Sequence, residues 1–104
     1  MIGIVVRFDL VDQTAARRFD ELTTGVVDAI TAHEPGTLVY ATQSMVDEPL
    51  ARVFYEVYAD DAALQAHEDA PHVQEFHTRK APLLRVPPRV EHVVLGAATG
   101  LPPG

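Results

Sequence analysis

The side chains that could do chemistry near neutral pH in this chain are few. They are five histidines, a glutamate set inside a strand, and three tyrosines. His67 follows Leu64 by three residues and so falls on the inner side of its helix. It reads either as a hydrogen-bonded border histidine or as a base at the edge of an apolar pocket. Glu56 shares one side of its strand with Phe54 and Tyr58. A carboxylate in such a place needs a partner or solvent. It reads either as an ion-pair partner of Arg7, Arg52 or Arg89, or as the group that orients a histidine or a substrate hydroxyl. Tyr40, Tyr55 and Tyr58, with Phe8, Phe54 and Phe76, could line a cavity for a flat ligand or could be plain core.

Other chemistries lack their residues. His67, His72 and His77 are spaced by five. On a straight helix such neighbours point about 140° apart, which is poor geometry for one metal. His67-Glu68 begins like a His-Glu-x-x-His zinc helix, but the next histidine comes one residue too late. No metal site is expected. There is no cysteine, hence no disulfide and no thiolate nucleophile. No glycine-rich phosphate loop, nucleophile elbow or Ser–His–Asp set is present. Formal charge is −7, and the short basic pairs Arg17–Arg18 and Arg79–Lys80 sit among acids, which disfavours nucleic acid.

The elements that must position these residues follow from periodicity. Ile2 to Leu10 is a β-branched first strand, apolar on both faces. Asp12 can cap a helix from about Gln13 to Ala32, whose apolar positions recur at three- and four-residue steps. Gly25 inside it costs about 1 kcal/mol against alanine, and close packing on the sheet would explain it. Glu34-Pro35-Gly36 ends the helix, with glycine allowing the reversal. Thr37–Val46 and Ala51–Ala59 form a hairpin around a turn at Asp47-Glu48-Pro49. Two helical pieces, about 61–69 and 71–81, meet near Ala70 because Pro71 suits a first turn and not an interior. Arg89 to Leu95 is the last strand, and 97–104 is a flexible C-terminal tail beyond a domain at 1–96.

The order β-α-β-β-α-β predicts an α+β, ferredoxin-like fold, with both helices on one face of a four-stranded antiparallel sheet. The bare face would be an apolar patch on the order of several hundred Å². Pairing with a second copy would cover it and close a dimeric α+β barrel. The alternative is a monomer with a mixed open face. No apolar run is long enough to span a bilayer and the first strand is no signal peptide, so no membrane association and a cytoplasmic location are expected.

Several segments together resemble the antibiotic biosynthesis monooxygenase superfamily. They are Phe54-Tyr55-Glu56-Val57-Tyr58, Ala63-Leu64-Gln65-Ala66-His67, and Ala70-Pro71-His72-Val73 with Phe76. Glu34-Pro35-Gly36 before a strand looks like the family's Glu-x-Gly turn, and the likeness runs from Ile2 to Leu95. Ala70 and Val73 depart from the family's usual serine and phenylalanine there.

The resemblance implies a homodimeric barrel that oxygenates a quinol, an anthrone or a similar aromatic small molecule with O2 and no cofactor. It implies that His67 is base or anchor, Glu56 its partner, and Tyr58 a pocket wall where tryptophan is common. Tyr40, Phe54, Phe76, His72 and Arg7 are the further candidates for contact with substrate. A haem-degrading branch uses a helix histidine near His77, but His67 stands where that branch has its macrocycle-distorting aromatic, and the chain has no asparagine. Two other classes remain open: a small-molecule-binding or stress-related barrel without turnover, and an isomerase or lyase using the same histidine.

Overall fold

A computed structural model describes residues 1–101, so the last three residues of the expected tail lie outside the described residues. The elements are β1 (Ile2–Asp9), α1 (Gln13–His33), β2 (Thr37–Met45), β3 (Glu48–Tyr58), α2 (Asp61–Asp69), α3 (Pro71–Lys80) and β4 (Arg89–Val94). A 3-10 turn at Ala81–Leu83 follows α3. The four strands form one antiparallel sheet in the order β2-β3-β1-β4, which is the expected ferredoxin-like arrangement.

Caps and breaks set the helix boundaries. The Asp12 carboxylate accepts from the Ala15 amide at 2.8 Å and opens α1; Asp60 does the same for α2 through Ala63. Ala70, extended at φ −64° and ψ 133°, separates α2 from α3 and supplies no side-chain cap, as alanine must. Pro71 takes the first position of α3, where its missing N–H costs nothing.

Strand parity divides the chain between two environments. Ile4, Val6 and Phe8 of β1 pair with Glu56, Phe54 and Arg52 of β3, and this side faces the helices. Phe8, Phe19, Phe54 and Phe76 pack there with ring centroids 4.7–6.4 Å apart. The other side carries Val5, Arg7, Val39, Ala41, Val53, Tyr55 and Val93, and no helix covers it. β4 is exposed along its length.

Three local expectations are corrected. The hairpin turn is Val46-Asp47; Glu48 and Pro49 already belong to β3, at an irregular register where proline's lost N–H is tolerated. Gly36 does not use a positive φ. A Cβ there would sit 2.6 Å from the Ala63 Cβ, so glycine is required for the close approach of α2 to the end of α1. Gly25 has open space where its Cβ would be, so sheet packing does not explain it.

Candidate active site

The helix-facing side of the sheet, α2 and α3 line an open cavity of about 380 Å³. Ile4, Val6, Phe8 and Tyr40 give it apolar and aromatic walls. Glu56, His67 and Lys80 are its buried polar groups, and Glu68, His77 and His92 stand on its exposed side.

His67 is the only fully buried residue of α2, at 3% exposure. Tyr40 and Tyr58 flank its ring, with centroids at 5.5 and 5.1 Å. Its Nδ1 lies 2.7 Å from Glu34 Oε1, and its Nε2 lies 4.0 Å from Glu56 Oε1. Glu34 also takes the Thr37 hydroxyl on Oε1 at 2.6 Å, and His72 Nε2 on Oε2 at 2.5 Å. Burial pushes the Glu34 carboxyl up, but the hydrogen bonds from Thr37, His72 and His67 outweigh it and hold it below the ordinary value. An ionised Glu34 accepts only, so His67 donates Nδ1–H to it, and Nε2 is the ring nitrogen turned toward Glu56.

Glu56 behaves in the opposite way. Burial dominates over the hydrogen bond from Tyr58 and the charge of His67, so its pKa is raised. Tyr58 donates its hydroxyl to Glu56 Oε1 at 2.5 Å. Burial, then the Glu56 charge, pushes both Tyr58 and Tyr40 upward, so both remain phenols that can donate. Two carboxyl groups with opposite shifts on either side of one imidazole make an arrangement suited to moving a proton.

Of the residues singled out from the sequence, His67, Glu56, Tyr58 and Tyr40 come together. His72 joins them only through Glu34, and itself lines a separate hollow beside Ala29, His33 and Pro71. On one straight helix His67 and His72 would point apart; the break at Ala70 turns both rings onto one carboxylate. Phe54 and Phe76 are core, at 1% and 4% exposure. Arg7 is on the far side of the sheet, paired with Asp9 and Glu48, and does not reach the cavity. Within the chain, none of the arginines weighed as an ion-pair partner of Glu56 reaches it: Arg52 holds Asp20 at 2.9 Å and Arg89 holds Glu91 at 3.1 Å.

Glu34 and Lys80 were read from the sequence only as a turn residue and as half of a basic pair. Each carried a signal. A carboxylate at a helix C-terminus opposes the helix dipole and needs another reason to be there. Lys80 continues the buried stripe Val73, Phe76 of α3, where a cation is out of place.

Comparison with known proteins agrees with this architecture. A proposed antibiotic biosynthesis monooxygenase from Caulobacter crescentus superposes with a TM-score of 0.86 at 23% identity, over 92% of this chain and 90% of that one. Counterparts from Nitrosomonas europaea and Deinococcus radiodurans give TM-scores of 0.81 and 0.83 at 21% and 17% identity. They span 90% and 96% of this chain, and 97% of each of theirs. Identities this low establish the fold. No protein of curated function matches the sequence. The family model for antibiotic biosynthesis monooxygenases matches residues 1–79, and the chain belongs to that family.

Proposed function

We propose that this protein is a monooxygenase that oxygenates a quinol, an anthrone or a similar electron-rich aromatic without metal or flavin. The observation that carries the reading is the Glu34–His67 pair, 2.7 Å apart, presenting a free Nε2 to an aromatic-walled cavity. Family membership supplies the reaction class.

In this scheme Nε2 of His67 removes a proton from a phenol or an activated C–H, and Glu34 stabilises the imidazolium that forms. The electron-rich anion then reacts with O2. For an anthrone, one oxygen becomes the new carbonyl and the other leaves as water with both hydrogens of that carbon. The Tyr40 hydroxyl, kept a phenol by burial, is placed to donate to developing negative charge, and Glu56, whose pKa burial raises, stands beside His67 Nε2. Two copies meeting through the uncovered sheet face would bury Val5, Val39, Tyr55 and Val93 and complete a barrel. Sedimentation equilibrium tests this: a dimer supports it and a monomer at micromolar concentration rejects it.

The deciding assay is oxygen uptake with a panel of quinols and anthrones, with chelator present. Uptake that needs the protein, survives chelation and is lost in His67→Ala supports the reading. Full activity in that variant rejects His67 as the base. A product with unchanged oxygen content points to an isomerase or lyase instead.

A further inference from the structure

Lys80 is 8% exposed, yet no carboxylate lies within 4.0 Å of its Nζ among the described residues. Its Nζ lies 4.8 and 5.0 Å from the ring centroids of Phe8 and Phe76. One donor is used, on His77 Nδ1 at 2.8 Å. An ammonium carries three donors, so two remain, and Lys80 lines the cavity that holds His67 and Glu56. Buried charges in proteins are normally paired, because desolvation is costly. A lysine that only reached past apolar surface would put its ammonium in water. This one does not; the residue is buried and lines a space that a ligand would fill.

We infer that the molecule bound in this cavity carries an ionised oxygen, either a carboxylate or the oxyanion of an acidic enol or phenol, and that Lys80 is the group that holds it. The inference rests on the proposed function only in taking this cavity as the substrate site. It narrows the substrate from an aromatic to an anionic aromatic. The groups that face Lys80 are Glu56 of β3, Tyr40 of β2, His67 and Glu68 of α2, His77 of its own helix and His92 of β4; β1 offers only apolar residues. Burial lowers the Lys80 pKa to about 8 against the upward pull of Glu56 and Glu68. A bound anion would raise it again.

Equilibrium binding tests this without turnover. The probes are 2-hydroxy-1,4-naphthoquinone, ionised at neutral pH, its uncharged 2-methoxy analogue, and 2-naphthoate. Wild-type protein should prefer the hydroxyquinone anion over the methoxy compound by roughly tenfold or more. The preference should fade as pH rises above about 8. Lys80→Met should abolish it while leaving the neutral probe's affinity unchanged, and Lys80→Arg should keep it.

A second measurement needs no variant. Calorimetry near pH 8 in two buffers of different ionisation enthalpy should show proton uptake with the anion, up to about half a proton. Tighter binding of 2-naphthoate identifies the carboxylate as the source, and tighter binding of the hydroxyquinone identifies the oxyanion. Equal affinity for charged and neutral probes, no saturable binding of either anion, or a preference that survives in Lys80→Met overturns the assignment. Anion preference without oxygen uptake would reject the oxygenase reading and leave Lys80 in its role; uptake without anion preference would do the reverse.

Discussion

Glu34 Oε1 and His67 Nδ1 are 2.7 Å apart, so the residue that ends α1 fixes the tautomer of the histidine on α2. The two are 33 positions apart in the chain, and Thr37 and His72 complete the acceptor's partners. On the proposed mechanism, a change at Glu34 should therefore register in both turnover and folding.

Glu34→Gln keeps an acceptor for Nδ1–H but removes the charge behind the imidazolium. Turnover should fall about 10²–10⁴-fold with KM little changed, read by oxygen uptake. The same variant has a stability signature. The folded pKa of Glu34 lies below its ordinary 4.5, so its contribution is present above pH 4.5 and lost as pH falls through the folded value. Urea midpoints measured from neutral to strongly acid pH should show that this part of the acid loss is missing in Glu34→Gln. An unchanged turnover would remove Glu34 from the mechanism.

Glu56→Gln should separate stability from activity. Tyr58 keeps its acceptor, and the cost of ionising a buried carboxyl disappears. Because the folded pKa of Glu56 is raised, the unfolded chain ionises first, and wild-type stability declines as pH rises from 4.5 through the folded value. The variant should lack that decline and gain on the order of 1 kcal/mol at neutral pH, while turnover falls. Chemical denaturation at pH 4 and pH 7 measures it. A variant less stable than wild type at pH 7 would mean that Glu56 is ionised and paired there.

Gly36→Ala should destabilise by about 1–3 kcal/mol, because the new methyl would meet Ala63 of α2. The cause is contact and not backbone strain, since φ is not positive. Ala63→Gly in the same chain should therefore restore part of the loss in a thermal melt, although glycine in a helix costs up to about 1 kcal/mol itself. Additive losses in the double variant would show that the two positions do not touch.

The elements were legible because each has one dominant period: β-branched strands, and an α1 whose buried Phe19, Val26 and Ile30 share one face. The site was legible where parity settles it, as for Glu56, which faces the helices with Phe54 and Tyr58. The same parity puts Arg7 opposite Phe8, and applying it to β1 would have kept Arg7 out of the cavity. The break at Ala70 was legible from Pro71, but the convergence of His67 and His72 on Glu34 was not, because it depends on how α2 and α3 pack against the end of α1 and not on any local pattern. Lys80 was hidden by its neighbour Arg79, which pairs with Glu75 on the exposed side.

Lys80→Met should make the protein more stable and change its alkaline behaviour. Methionine keeps the contacts with Phe8 and Phe76 and removes a buried cation. The folded pKa of Lys80 is about 8 against 10.5 in the free side chain. Between those values the unfolded chain binds the proton that the folded one has released, so wild-type stability rises with pH across that window. Below about pH 8 the burial cost is present in full, and there Lys80→Met should gain about 1–3 kcal/mol. Each kcal/mol corresponds to about 4–8 °C in Tm for a domain of this size. Thermal melts from pH 7 to 10.5 should show the gap between the two proteins closing as pH rises. A variant less stable than wild type at pH 7 would mean that the ammonium already has a stabilising partner in the folded chain, and the argument for an anionic ligand would lose its premise.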